Sequence, residues 1–271
     1  IQKIPLPAGE GLGEGEGSDP RCPSDTPHLS PLSFGKLRTA SVKSLFSSPF
    51  KAVLFDLDDT LLDRRSAYDH AYRYFYESQP AIRESASWEE AREFFWSLSP
   101  NNATDARTAI AGIMRRWPGV KSDPDTHERE YFHHLIDGLK PLPGVPDLVA
   151  ALNRAKLPWG IITNGGPFQL KKIEKVGWQK SVPVVVVSKL FGTEKPAPEI
   201  YHEAVRRLGL NGTPYDRVLF AGDNPFTDIA GAQGVGMKTA WVRMGREYPE
   251  DAPPPDHVIE SVTELRPLLG L

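Results

Sequence analysis

The chain has 271 residues, of which 39% are hydrophobic and 25% charged, as is typical of a globular protein with a full core. Its formal net charge of −3 gives no overall attraction to nucleic acid or to an anionic membrane, so neither partner is expected. The single cysteine, Cys22, excludes an intrachain disulfide, and the longest apolar run, VPVVVV at 182–187, is strand-sized rather than membrane-spanning.

Residues 1–50 differ in composition from the rest of the chain. GEGLGEGEG at 9–17 repeats Gly and Glu, and the stretch after it is rich in Ser, Pro and Thr. Neither has enough periodic apolar surface to offset the entropy of ordering, so we predict a disordered extension over 1–50. Residues 26–50 contain basic and no acidic residues, which slightly resembles an organelle transit segment, but the acidic stretch before them weakens that interpretation. We expect a cytoplasmic protein.

From residue 51 onward, short apolar runs alternate with helical patterns. The runs are nearly continuous in Val, Ile, Leu and Phe, as in a parallel sheet that is covered on both faces. The predicted strands are 52–57, 159–164, 182–188, 217–223, 238–242 and 256–261. The predicted helices between them are 145–155, 167–176, 198–209 and 227–236. This alternation predicts an α/β fold with a doubly wound parallel sheet.

One interval, residues 62–143, contains no convincing strand. It shows several amphipathic helical patterns with aromatic stripes, and Ser87 with Glu90 has the spacing of a capping box. We interpret the stripes as packed interior rather than as a cofactor site. The interval is therefore predicted to be an all-helical cap inserted into a core that comprises 51–61 and 144–271.

Polar residues follow the first two predicted strands. Asp56 and Asp58 stand at i and i+2, so in an extended chain they lie on one face, about 7 Å apart, and address one point beyond the sheet. Thr163 and Asn164 precede two glycines and a helix, and this set of hydroxyl, amide and N–H groups is suited to an anion. Asp59 is interpreted as a turn residue that faces water or caps the next segment.

Charged residues also follow the later strands. Lys195 comes after the third strand, and Asp223 ends the fourth, with Asp228 five residues later. Because open α/β sheets bind ligands at the carboxyl ends of their strands, we expect these groups to converge. Clustered carboxylates need a hard cation such as Mg²⁺, and a lysine neutralises phosphate charge. This set of carboxylates, one lysine and anion-binding groups predicts phosphoryl transfer.

The segments DLDDT, ITN, GTEKPAPEIY and GDNPFTD, in that order, resemble the four motifs of the haloacid dehalogenase superfamily of hydrolases. The resemblance covers about residues 51–260, and the helical interval lies where that family carries a C1-type cap. It implies a sheet with the DLDDT strand at its centre and an aspartyl-phosphate intermediate. In that mechanism Asp56 is the nucleophile and Asp58 is the general acid/base.

The phosphoryl group and the metal ion are expected to have separate ligands. The predicted phosphate-binding residues are Thr163, Asn164 and Lys195. The resemblance implies that Mg²⁺ is bound by the side chains of Asp56 and Asp223 and by the main-chain carbonyl of Asp58. Asp228 is expected to act through water or by orienting its neighbours.

The superfamily also contains dehalogenases, ATPases, phosphonatases and mutases. An acid at Asp58 favours a phosphatase or mutase, since the dehalogenase branch lacks that acid and the ATPase branch has threonine there. The ITNG and GDNP variants look most like nucleotide and sugar-phosphate phosphatases.

We expect a Mg²⁺-dependent phosphatase of a small phosphomonoester. A phosphomutase is the alternative within enzymes, and a catalytically silent binding or scaffold protein is the alternative of another class. The cap arginines, Arg64 among them, are interpreted as solvated.

Overall fold

The computed structural model describes residues 48–98, 105–120 and 123–271. These residues all fall within one structural unit, Lys43–Leu271. Most of the predicted N-terminal extension, together with Cys22, lies outside the described residues. Among the helices of the described ranges, none is long and apolar enough to cross a membrane.

Six strands of the described chain form one sheet, and every neighbouring pair is parallel. The strands are β1 (Ala52–Phe55), β2 (Trp159–Thr163), β3 (Val184–Val187), β4 (Val218–Gly222), β5 (Lys238–Val242) and β6 (His257–Ile259). Their order in space is β3-β2-β1-β4-β5-β6, so β1 lies at the centre. The predicted doubly wound sheet is confirmed.

The helices connect these strands and fill the long interval after β1. In chain order they are α1 (Arg64–Ser78), α2 (Pro80–Arg83), α3 (Trp88–Ser97), α4 (Ala106–Arg116), α5 (Pro124–Gly138), α6 (Val145–Ala155), α7 (Phe168–Lys175), α8 (Ser188–Phe191), α9 (Pro198–Arg207) and α10 (Ala230–Gly234). A π-helical turn, Pro225–Ile229, leads into α10.

Both faces of the sheet are covered, as the apolar runs predict. Alternate residues of β1 point to opposite faces, so Val53 and Phe55 join one buried cluster while Ala52 and Leu54 join the other. The first cluster includes side chains of α6 and α7, and the second includes side chains of α9 and α10. Burying an aliphatic or aromatic side chain of this size stabilises the fold by about 1.5 to 3 kcal/mol.

The helices α1 to α5 enclose a separate, largely aromatic interior. Ser87 caps α3 with the predicted capping box: its hydroxyl accepts from the Glu90 N–H, and the Glu90 carboxylate accepts from the Ser87 N–H. Residues on the inner faces of these helices form a third buried cluster. Its members are Tyr72, Phe75, Ile82, Ala91, Phe95, Ile113, Trp117 and Val120.

The two segments that join these helices to the sheet lie beside each other. The N–H of Asp63 donates to the carbonyl of Lys140 at 2.9 Å, and the N–H of Leu142 donates to the carbonyl of Leu61 at 2.9 Å. The chain therefore leaves the core and returns to it at one place. The extent of the cap, residues 62–143, stays a prediction.

Candidate active site

A cavity of about 620 Å³ lies at the carboxyl ends of β1, β2 and β4. β1 ends at Phe55, two residues earlier than predicted, so Asp56 and Asp58 lie in the turn beyond the strand and do not continue its alternation. The structure brings all the predicted site residues to the wall of this one cavity. They are Asp56, Asp58, Thr163, Asn164, Lys195, Asp223 and Asp228.

Three buried carboxylates converge in the cavity. Asp56, Asp223 and Asp228 each place a carboxylate oxygen within 4.8 Å of the others. Burial raises the pKa of Asp56 to about 8. Lys195 lowers this pKa, whereas repulsion from Asp228 and Asp223 raises it further. Burial and Asp228 raise the pKa of Asp223 to about 6. Burial, which disfavours the charged form, is the largest cause of both raised pKa values, and repulsion between the carboxylates adds to it.

Lys195 bridges two of these acids. Its ammonium donates to Asp56 Oδ1 at 2.6 Å and to Asp228 Oδ1 at 2.6 Å. Burial disfavours the charged lysine, but the two carboxylates outweigh it and raise the pKa of Lys195, so the ammonium stays protonated. Asn164 fixes the main chain of Lys195, since its amide donates to the Lys195 carbonyl and accepts from the Lys195 N–H, both at 2.9 Å.

Asp228 lies so close to the end of β4 that position 222 must be a glycine. A Cβ on Gly222 would lie 2.3 Å from Asp228 Oδ2, so an alanine there would displace the carboxylate. Asp223 is held by two further groups: the Trp241 indole donates to its carbonyl at 2.9 Å, and Arg246 donates to its Oδ2 at 3.0 Å. The carboxylates of the cluster are therefore fixed by packing as well as by charge.

Asp58 belongs to a different network. The Lys172 ammonium donates to both of its carboxylate oxygens, at 2.8 and 2.6 Å. Gln169 donates from the same amide nitrogen to Asp58 Oδ2 at 3.0 Å and to Thr163 Oγ1 at 2.5 Å. Burial opposes ionisation of Asp58, but Lys172, Arg64 and the two hydrogen-bond donors outweigh it and lower the pKa of Asp58.

Asp59 and Arg64 contact each other, whereas the sequence was interpreted as placing Arg64 in solvent and Asp59 in a turn that faces water or caps the next segment. Asp59 takes a left-handed conformation with φ 57°, and its carboxylate contacts the first turn of α1. There Arg64 donates to Asp59 Oδ2 from Nε at 3.0 Å and from Nη2 at 2.5 Å. Asp59, expected to face water or to cap the next segment, and Arg64, expected to be solvated, thus form a partly buried ion pair.

A second cavity, of about 550 Å³, adjoins the first. The two share four lining residues: Arg64, Asp223, Asn224 and Thr227. The second is bounded on the helical side by Arg65 and Trp96, and on the sheet side by residues that include Phe226, Trp241 and Arg246. The space beside the carboxylates thus extends between the helical region and the core.

Sequence reasoning missed Gln169, Lys172 and Arg246. Gln169 and Lys172 stand at i and i+3 in a helix that was predicted, which places them on one face, together with the apolar Ile173. Polar residues beside an apolar position on the inner face of a helix were the available signal. Arg246 lies in a segment without helical or strand pattern, so no feature of the sequence indicates its contact with Asp223.

The chain matches a family model described as haloacid dehalogenase-like hydrolase over residues 50–236. N-acetylmuramic acid 6-phosphate phosphatase of Pseudomonas aeruginosa is 31% identical over 208 residues, which cover 75% of this chain and 86% of the relative. Pyrimidine 5'-nucleotidase YjjG of Escherichia coli is 27% identical over 222 residues, covering 80% and 96%. Human N-acylneuraminate-9-phosphatase is 30% identical over 240 residues, covering 82% and 94%.

Solved structures share the fold. A magnesium-bound crystal structure of the HAD-hydrolase YfnB from Bacillus subtilis aligns with a TM-score of 0.64 and 24% identity, covering 82% of this chain and 99% of that one. A dehalogenase structure with an intermediate complex aligns with a TM-score of 0.61 and 22% identity, covering 83% and 99%.

Proposed function

Because the chain belongs to the haloacid dehalogenase-like hydrolase family, we propose that it is a Mg²⁺-dependent phosphatase that hydrolyses a small phosphomonoester through a phosphoryl group on Asp56. The observation that carries the proposal is the arrangement around Asp56: a buried carboxylate next to two others, with the Lys195 ammonium 2.6 Å from its oxygen. A second acid, Asp58, lines the same cavity without joining the cluster.

The first half of the reaction transfers the phosphoryl group to the protein. A carboxylate oxygen of Asp56 attacks phosphorus, and the new P–O bond forms while the ester P–O bond breaks. Asp58 gives its proton to the departing oxygen, so the leaving group departs as an alcohol. Because Lys172 and Arg64 lower the pKa of Asp58 in the free protein, this step requires the negative charge of the bound phosphate ester to raise that pKa again. Lys195 supports this step because its buried ammonium neutralises charge on the phosphoryl oxygens.

The second half releases phosphate. A water molecule gives a proton to Asp58 and attacks phosphorus, and the bond between phosphorus and the Asp56 oxygen breaks. The products are inorganic phosphate and a free Asp56 carboxylate, and Asp58 again carries a proton. One residue therefore serves as acid and then as base.

Thr163 and Lys195 are the proposed phosphate-binding side chains. The Thr163 hydroxyl lies on the cavity wall and accepts from Gln169, which leaves its hydrogen free to be donated to an anion. Asn164 already uses both polar atoms of its side chain on Lys195, so its contribution to phosphate is assigned to its main-chain N–H.

The residues present fit a magnesium ion. Clustered carboxylate oxygens are the ligands that Mg²⁺ takes, and burial makes the negative charge on Asp56 and Asp223 costly, which a bound cation would offset. Asp56, Asp223 and the Asp58 carbonyl are the proposed ligands, with Asp228 close enough to contribute. When bound, the ion would supply positive charge that draws electron density from the phosphoryl oxygens.

The proposed substrate is a nucleotide or a sugar phosphate. The relatives are named for a pyrimidine nucleotidase and for phosphatases of N-acetylmuramic acid 6-phosphate and N-acylneuraminate 9-phosphate. The cavity of about 550 Å³ beside the carboxylates, bounded by Arg65 and Trp96, is the proposed site of the leaving group. The chemistry of Asp58 serves a phosphomutase equally well, so a mutase is the second candidate.

Replacing Asp56 with Asn is the decisive test, because the amide cannot serve as the nucleophile. Hydrolysis of p-nitrophenyl phosphate with Mg²⁺ is expected to disappear in Asp56→Asn, while Asp251→Asn, at an exposed position, keeps wild-type activity. EDTA is expected to stop the wild type, and added Mg²⁺ to restore it. Retained turnover in the Asp56 variant, in a preparation free of contaminating phosphatase, would contradict the mechanism.

Two further measurements separate the alternatives. A phosphatase releases free phosphate as its main product from a panel of phosphorylated metabolites. A mutase instead depends on a bisphosphate activator and releases little phosphate. A folded protein with no turnover across the panel would support the binding or scaffold alternative.

A further inference from the structure

Arg65 lies on the wall of the second cavity, beside the carboxylate cluster, and carries a charge that no carboxylate neutralises. Two other arginines line this cavity, and each is already in an ion pair. Arg64 is bound by Asp59, and Arg246 is bound by Asp223. Arg65 is exposed and has no ion pair with any residue of the described ranges. It is therefore an available cation at the proposed site of the leaving group.

The carboxylate that would ordinarily pair with Arg65 is bound elsewhere. Asp69 stands four residues later in α1, which is the spacing at which an arginine and an acid meet along a helix. Both oxygens of Asp69 accept from other groups instead. Arg92 donates to Oδ1 and to Oδ2, each at 2.7 Å, and the Trp96 indole donates to Oδ1 at 2.8 Å. The Arg65 guanidinium is thus left for a ligand.

The ring of Trp96 supports the Arg65 side chain at the cavity wall. The guanidinium carbon of Arg65 lies 5.7 Å from the centroid of this ring, within the range of a cation–π contact. The ring is itself fixed, since Asp69 accepts from its N–H and the Tyr68 ring stacks on it with 5.6 Å between centroids. A guanidinium held beside an aromatic ring loses less freedom when it binds a planar anion.

We propose that Arg65 is a specificity-determining residue that binds a carboxylate on the leaving group, an inference that rests on the proposed function. Guanidinium and carboxylate groups are both planar and pair through two parallel hydrogen bonds. A carboxylate is favoured over a second phosphate, because one guanidinium neutralises one negative charge and the exposed Glu247 on the same cavity repels any further one. The substrate class is therefore a phosphate ester of a hydroxy acid, and among sugar phosphates this selects those with a carboxyl group.

The two adjoining cavities have the groups that the two ends of such an ester need. The cavity that contains Asp56 and the one that contains Arg65 share Asp223 and Asn224 on their walls, so one molecule can occupy both. Phe226, 47% exposed, lines the second cavity on the sheet side and offers apolar surface to the carbon chain between the two anionic groups.

Binding to Asp56→Asn, measured by isothermal titration calorimetry with Mg²⁺, tests the inference without turnover. 6-Phosphogluconate and sorbitol 6-phosphate are a matched pair, since they differ only in a terminal carboxylate against a hydroxymethyl group. Because charged hydrogen bonds are the strong ones, 6-phosphogluconate is expected to bind about tenfold more tightly. Adding Arg65→Met should weaken 6-phosphogluconate by about tenfold and sorbitol 6-phosphate by less than about twofold.

Two variants serve as controls in the same background. Arg73→Met removes the same charge from the same helix, also beside a tryptophan, but Arg73 lines a different cavity, so both affinities should stay unchanged. Arg65→Lys keeps the charge without the planar pair of donors, and it should recover only part of the preference for the carboxylate.

Equal affinities for the matched pair in protein that keeps Arg65, or no binding of either ester, would overturn the inference. A preference for 6-phosphogluconate that survives Arg65→Met would overturn it as well. So would a larger preference for fructose 1,6-bisphosphate over fructose 6-phosphate, since that would indicate a second phosphate at Arg65. The proposed function is judged separately, by hydrolysis of p-nitrophenyl phosphate in the wild type and its loss in Asp56→Asn.

Discussion

The two interiors of this molecule bury polar groups in different settings. At the carboxyl end of the sheet, Asp56, Asp228 and Lys195 are buried together and linked by short hydrogen bonds. The aromatic interior of the helical region buries His127, and neither ring nitrogen of that histidine has a hydrogen-bond partner within the described ranges.

Burial therefore has a different consequence in each of the two interiors. Among the carboxylates, burial raises the pKa of Asp56 to about 8, and like charges lie close together at a cost to stability, as is typical of functional sites. Among the aromatic residues, burial removes apolar surface from water and stabilises the fold directly. Substitutions at the sheet end should therefore change mainly activity, and substitutions in the aromatic interior should change mainly stability.

The largest effect is expected for Lys195→Met. Methionine fills a similar volume, but it removes the ammonium that contacts Asp56 and Asp228. We expect kcat to fall by about a thousandfold, which corresponds to about 4 kcal/mol in the barrier. Steady-state phosphatase assays measure the loss, and Lys180→Met, at an exposed position, is the control. Near-normal activity would remove Lys195 from the mechanism.

A somewhat smaller effect, on stability rather than on chemistry, is expected for Phe95→Ala. Phe95 is fully buried and packs against Tyr72, Phe75 and Trp117. Removing its ring should lower the free energy of unfolding by about 3 kcal/mol. Urea denaturation measures this change, and Phe94→Ala, half-buried on the same helix, should lose less. Equal losses at the two positions would contradict the packing described for α3.

The smallest effect is a pH dependence that arises from His127. Burial lowers the pKa of His127 below its ordinary value of 6.5, although Glu130, 3.9 Å away, opposes this. As pH falls below 6.5, the unfolded chain therefore binds a proton before the folded one does, and stability is lost.

His127→Phe should accordingly flatten the decrease in Tm between pH 7.5 and 5. Part of the slope should persist, since burial also lowers the pKa of His134. An unchanged slope in His127→Phe would show that this ring titrates normally in the folded protein.

The sheet was predictable because its signal is local. Each strand is a run of apolar residues whose two faces are both buried, and the six predicted runs all contain an observed strand. The capping box at Ser87 was likewise visible as a short pattern. The end of β1 was misplaced by two residues, because the buried, apolar Leu57 extends the apolar run beyond Phe55, where the strand ends.

The candidate site was predictable only in part. Residues at strand ends converge by a rule of parallel sheets, so Asp56, Thr163 and Asp223 could be brought together without a structure. Lys172 reaches Asp58 from a helix, across 114 positions of sequence, and such a contact depends on how the helix is rotated against the sheet. The left-handed conformation of Asp59 and its ion pair with Arg64 are likewise properties of the folded chain.

The adjacent junctions at Leu61 and Leu142 have a consequence for how such a protein can change over time. Because the outgoing and returning segments are hydrogen-bonded neighbours, the helical region is connected to the core as a loop whose two ends lie together. The entropy of closing a loop grows only with the logarithm of its length, so an insertion here can lengthen or shorten at little cost to the sheet. Selection can thus remodel what covers the carboxylates while the sheet that positions them stays the same.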